Sequence, residues 1–83
     1  MTSAGGPDEV FALVRTHLLA IRPDLVADGV QPDRSMRELG VNSLDRLDVV
    51  VATLTDLGVD VPNDELAAAT DLGELAEIIH RHR

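Results

Sequence analysis

The chain has 83 residues, of which 45% are apolar, one is aromatic (Phe11) and none is cysteine. A modest core can be buried at this length, while disulfides, thiolate metal sites and binding by aromatic stacking are excluded. Fifteen acidic residues face seven basic ones, all of them Arg, for a formal net charge of −8; such a chain repels nucleic acid and anionic membrane surfaces and suits protein partners with basic patches.

Residues 1–6 are small and polar and predict a disordered N-terminal tail, followed by a single domain over residues 7–83. Gly6-Pro7-Asp8-Glu9 has the chemistry of a helix start, with Pro in the first turn and acids at the positive dipole end. Val10, Phe11, Val14, Leu18 and Ile21 repeat at helical spacing, which predicts a helix over 7–21, ended by Arg22-Pro23. Residues 23–39 form a long connection with turn chemistry at Asp28-Gly29 and Gln31-Pro32-Asp33, and Met36 and Leu39 predict one short helical turn before Gly40.

A second helix is predicted over Ser43–Leu57, with Leu44, Leu47, Val50, Val51, Leu54 and Leu57 at helical spacing and Gly58 as its stop. The run Val49-Val50-Val51 alone suggests a strand, but the surrounding helical period outweighs it. Val59-Asp60-Val61-Pro62 reads as an extended link, after which Asn63 or Asp64 caps a brief helical segment through Ala69. Thr70 or Asp71 then caps a last helix carrying Leu72, Leu75, Ile78 and Ile79, and His80-Arg81-His82-Arg83 forms an end expected to fray. The fold expected is an all-α bundle of three main helices and one short one, with Phe11, Val14, Leu18, Ile21, Leu39, Leu47, Val50, Leu54, Val61, Leu72, Leu75 and Ile79 in its core. No secretory-type segment opens the chain and no apolar run reaches membrane-spanning length, so a cytoplasmic location is expected.

The stretch Gly40-Val41-Asn42-Ser43-Leu44-Asp45-Arg46 places one hydroxyl, Ser43, at the first turn of the second helix. A serine there can be an ordinary cap. A helix start also favours a phosphate ester, through free N–H groups and the dipole. Catalysis by Ser43 would require an oriented base, and the histidines, His17, His80 and His82, are poorly placed to supply one. His80-x-His82 does not share a helical face, and Asp56, Asp60 and Asp64 are spaced by four rather than by the two of a calcium loop. No catalytic or metal-ligating residue is therefore expected.

Leu39-Gly40-Val41-Asn42-Ser43-Leu44 resembles the L-G-x-D-S-L signature of acyl carrier proteins. The amphipathic helix behind it, the Gly58-Val59-Asp60-Val61-Pro62 link, the order of helices and the acidic balance agree with that family over residues 7–82. The resemblance implies that a phosphopantetheinyl transferase attaches the 4′-phosphopantetheine of coenzyme A to Ser43, and that the arm's thiol carries acyl groups as thioesters. The carrier itself would catalyse nothing.

Asn42 departs from the usual Asp; it keeps the cap and removes a charge. Gly40-x-Asn42-Ser43-x-Asp45-Arg46 resembles the free-standing donor carriers of polyketide β-branching cassettes, which serve hydroxymethylglutaryl-synthase-like enzymes. Acyltransferases and ketosynthases are further implied partners, and a monomer is expected. Recognition by partners then falls on Asn42, Leu44, Asp45, Arg46, Asp48 and Asp56. The alternatives are a peptidyl or aminoacyl carrier of a nonribosomal pathway, a fatty-acid-synthesis carrier, and a small acidic helical interaction protein in which Ser43 is a cap or is phosphorylated.

Overall fold

In the computed structural model the described residues are 6–83, and they form helices α1 (Pro7–Ile21), α2 (Ser43–Leu57), α3 (Asn63–Ala67) and α4 (Leu72–Arg81), with a 3-10 turn at Ala27–Gly29. No strand occurs among the described residues. The tail expected over residues 1–6 falls, for 1–5, outside the described residues. Gly6 is part of the fold: it is the N-cap of α1, and its carbonyl accepts from the Glu9 N–H at 3.0 Å.

α1 is the central element and packs against both α2 and α4. It does so with Val10, Val14 and Leu18, one fully buried residue per turn, and Phe11 and Ile21 flank this row half-buried rather than filling the core. α4 contributes Leu72, Leu75, Ala76, Ile78 and Ile79. Asp71 is its cap, accepting from the Glu74 N–H at 2.7 Å, while the Glu74 carboxylate accepts from the N–H and hydroxyl of Thr70. The end of α4 is tied down rather than frayed: His82 Nε2 lies 2.8 Å from Glu65 Oε1 on α3, and Arg83 Nη2 lies 2.7 Å from Glu9 Oε1 on α1.

α2 starts and stops where expected, at the Asn42 cap and at Gly58, whose φ of +67° closes the helix in the left-handed region. Its buried face is different. Val49, Val50 and Thr53 point inward, whereas Leu47 is 54% exposed and Leu44 and Val51 share its open side. The helix is turned by about one residue, roughly 100°, from the orientation its leucines suggest. The cause is that α2 carries more apolar residues than one buried face can hold, and α1 covers the valine side. Thr53 can be buried because its hydroxyl donates to the Val49 carbonyl of its own helix at 2.9 Å. Leu39 and Leu54, also expected in the core, are half-buried.

The long connection from α1 to α2 supplies core residues of its own, Val30, Met36 and Val41. It is pinned to the start of α4, where the N–H groups of Leu72 and Gly73 donate to the carbonyls of Arg34 and Pro32 at 2.9 and 2.8 Å. A Cβ at Gly73 would lie 3.1 Å from that Pro32 oxygen, so glycine permits the close approach. α3 is shorter than expected, ending at Ala67. Its N-cap is Pro62, so neither Asn63 nor Asp64 caps it. Leu66 anchors it in the core.

Candidate functional site

The Ser43 site is assembled from backbone geometry first. Ser35 and Glu38 cap one another reciprocally, the Glu38 N–H donating to Ser35 Oγ at 3.0 Å and the Ser35 N–H to Glu38 Oε1 at 2.9 Å. They set up the short turn expected at Met36–Leu39. Gly40 then reverses the chain with φ +78°, and the Val41 N–H returns to the Met36 carbonyl at 2.8 Å. Val41 is buried as the plug under the turn.

Arg22, at the end of α1, donates from Nη1 to the Gly40 carbonyl at 2.8 Å while its Nε and Nη2 grip both oxygens of Asp24. The hydrogen bonds from Arg22 hold the Asp24 carboxyl below its ordinary range. The role of Arg22 was not legible in the sequence, because its target is a backbone carbonyl 18 residues away.

Asn42 Oδ1 accepts from the Asp45 N–H at 2.8 Å, and the Asn42 carbonyl accepts from the Arg46 N–H at 2.9 Å. Asn42 therefore does the capping that an aspartate would do, without the charge. Of the N–H groups that a helix start leaves open, that of Asp45 is thus used, and the Arg46 N–H makes the first regular helical bond. Among the described residues, those of Ser43 and Leu44 take no protein partner. Ser43 is exposed and borders a groove of about 760 Å³ between the Ser35–Gly40 turn, the first turn of α2 and the α3–α4 connection.

The other residues expected to meet partners do not share one face. Arg46 faces the groove, and its Nη2 donates to the Leu66 carbonyl of α3 at 2.8 Å. Leu44 and Asp48 lie on the open side of α2 with Leu47 and Val51, where Leu44 is 74% exposed. These four residues form a continuous apolar stripe carrying one carboxylate. Asp45 and Asp56 lie off it: Asp45 is half-buried within the field of Arg22, and Asp56 Oδ2 sits 2.6 Å from His17 Nε2 of α1 at the far end of the helix. Leu47 and Val51 were not singled out for recognition from sequence. The available signal was an apolar arc on α2 too wide for a single buried face.

This arrangement suits a phosphodiester-linked arm. One exposed hydroxyl stands at an uncovered helix start, with open N–H groups and a partly polar groove beside it. The comparisons with known proteins point the same way. The sequence profile of the family described as "Phosphopantetheine attachment site" matches residues 18–79. The chain is 31% identical over 71 residues to the polyketide biosynthesis acyl-carrier-protein AcpK of Bacillus subtilis, covering 86% of this chain and 87% of that protein. It is 29% identical over 72 residues to an acyl carrier protein of a Picosynechococcus species, covering 86% and 88%. In fold it is similar to a chain from the crystal structure of the curacin biosynthetic pathway HMG synthase in complex with acetyl donor-ACP, with a TM-score of 0.83 at 28% identity over 92% of this chain and 97% of that one. By profile, sequence and fold, the chain belongs to the acyl carrier proteins, which hold acyl groups on a covalently attached 4′-phosphopantetheine.

Proposed function

We propose that Ser43 is the attachment residue, and that the chain is a discrete carrier of polyketide assembly that donates an acetyl group to a hydroxymethylglutaryl-synthase-like enzyme. The observation that carries the first part is the single exposed hydroxyl at the open start of α2, bordering the groove. The arm supplies a flexible reach and a thiol, which holds the acyl group as a thioester and gives each partner a high effective concentration of it.

The chain's own contribution is to present Ser43 and to be recognised. In loading, Ser43 Oγ attacks the pyrophosphate of coenzyme A, forms the phosphodiester and displaces 3′,5′-ADP; its proton passes to a base on the transferase. Two of the histidines are held elsewhere among the described residues. His17 is committed to Asp56 at the other end of α2, about 20 Å along the helix from Ser43, and His82 to Glu65 on α3. We therefore read the protein as a non-catalytic carrier, one domain over residues 7–83, working as a cytoplasmic monomer.

Support for the donor role is the Gly40-x-Asn42-Ser43-x-Asp45-Arg46 arrangement, together with relatives described as a polyketide-biosynthesis carrier and an acetyl donor. The open stripe of Leu44, Leu47 and Val51, with Asp48 in it, suits a partner surface that is apolar with a basic rim. Phosphopantetheinyl transferase meets this face first; a synthase, and acyltransferase or ketosynthase partners, meet it in turn.

Incubation with coenzyme A, magnesium and a broad-specificity phosphopantetheinyl transferase tests the attachment. Wild type gains the mass of one phosphopantetheine and Ser43→Ala gains none; an equal gain by both sinks the assignment. For the donor role, the acetyl-loaded carrier is mixed with a β-branching synthase and its acceptor. Loss of the acetyl mass faster than from a fatty-acid-synthesis carrier is the expected result, and equal rates count against it.

A further inference from the structure

The geometry points to Arg46 as the residue that holds the phosphate of the arm, and through it ties the loaded arm to α3. This rests on Ser43 being the attachment residue. Arg46 follows Ser43 by one helical turn, a spacing that brings side-chain bases to about 5–6 Å of each other. Both side chains border the same groove. The phosphorus of an ester on Ser43 stands one bond beyond Oγ, within reach of a guanidinium that starts one turn away.

The state of Arg46 favours this role over a structural one. It is half-buried, and among the described residues no carboxylate lies within ion-pair distance of it, although the chain holds fifteen acids and seven arginines. Arg22 and Arg83 each have a carboxylate partner, whereas half-buried Arg15 shares the state of Arg46, one backbone carbonyl and no carboxylate; what sets Arg46 apart is its place on the groove beside Ser43. Only one of the guanidinium's five N–H donors is used, on the Leu66 carbonyl. A planar fork with four free donors beside an ester site matches a phosphodiester well.

The rival role for Arg46 is recognition of partners. Its placement argues against that: it faces the groove and α3, whereas the open stripe of Leu44, Leu47 and Val51 runs along another side of α2. The consequence is a link between cofactor and fold. Arg46 already holds α3 by the Leu66 carbonyl, so a phosphate that orders the guanidinium also steadies the Ala67–Thr70 wall of the groove.

The test compares apo and fully loaded forms of wild type, Arg46→Lys and Arg46→Gln, each loaded to completion as judged by intact mass. A wild type that gains no mass overturns the attachment at Ser43 and the role of Arg46 with it, whereas the outcomes below overturn the role of Arg46 alone. Phosphorus NMR reads the ester directly. The wild-type resonance is expected to differ from that of the same loaded chain unfolded in urea, and the Arg46→Gln resonance to coincide with its unfolded control. Amide exchange reads the link: loading should slow exchange over residues 66–70 at least about tenfold in wild type, only in part in Arg46→Lys, and not at all in Arg46→Gln. The proposal is overturned if the wild-type resonance matches the unfolded control. It is overturned equally if Arg46→Gln keeps the native phosphorus shift and the same protection on loading. Should Arg46→Gln fail to fold, the wild-type and Arg46→Lys spectra still decide.

Discussion

Gly40 has φ +78° with open space where a Cβ would lie, so substituting it tests backbone strain alone. An alanine there meets the left-handed penalty of about 1–2 kcal/mol, offset in part by a less flexible unfolded chain. Gly40→Ala should lower the melting temperature by about 4–8 °C and slow loading, because Val41 and Asn42 hang from the turn; an unchanged melt would show that the turn relaxes freely. Glu74 gives a second residue-scale case. Its carboxyl is held below the ordinary glutamate range, first by the Thr70 N–H and then by the Thr70 hydroxyl. The folded pKa is lower than the unfolded one, so as pH falls the unfolded chain takes up the proton first. The contribution to stability is whole above about pH 4.3, the ordinary value, and is lost as pH drops through the lower folded value. Asp24, held down by Arg22, adds to the same acid limb. Glu74→Gln should therefore flatten thermal stability against pH below about 5, read by melts from pH 3 to 7, with little difference between Gln and wild type at the acid end.

At the scale of elements, the two faces of α2 should respond to mutation in opposite ways. Leu47 is exposed, so Leu47→Ala should change stability by less than about 0.5 kcal/mol while weakening transfer to partner enzymes. Leu18 of α1 is fully buried, and Leu18→Ala should cost about 2–5 kcal/mol. If Leu47→Ala destabilises as strongly as Leu18→Ala, the orientation of α2 is wrong. That orientation is also where sequence reading fell short. The bounds of α1 and α2 were legible because Pro7, Asn42 and Gly58 are local signals acting on the backbone beside them. Which side of α2 is buried depends on α1, far away in sequence, and on Thr53 disguising itself as apolar through a bond to its own helix. Ser43 and Asn42 were legible for the same local reason as the helix bounds. The groove side of the site was not, because Arg22 and Arg46 act on carbonyls 18 and 20 residues away.

For the molecule as a whole, charge sets the terms. A net charge of −8 is confined within 32 × 30 × 20 Å. At about 0.01 M salt the screening length is about 30 Å, so every carboxylate feels most of the others; at 0.1 M it is about 10 Å and only neighbours interact. The polar contacts that join elements, such as the His17–Asp56 hydrogen bond and the Arg83–Glu9 ion pair, are partly exposed and contribute little individually. Self-repulsion should dominate, and the melting temperature should rise as sodium chloride goes from about 10 to 150 mM. A fall would mean that the cross-element pairs outweigh the repulsion.

The closed start of α4 bears on how a loading enzyme finds one hydroxyl among several. The four N–H groups that open α4 all have acceptors: Leu72 and Gly73 on the loop, Glu74 and Leu75 on Asp71. Thr70, next to that start, has its hydroxyl on Glu74. Thr16 and Thr53 donate to their own helices, and Ser35 Oγ is spent in its turn. Thr55 lies on the last turn of α2, at the negative end of its dipole. If the arm is carried on Ser43 as proposed, regioselectivity is written into the carrier before any transferase arrives: among the described residues the competing hydroxyls are hydrogen-bonded or sit at a negative helix end, and Ser43 is the hydroxyl at an unfilled positive pole.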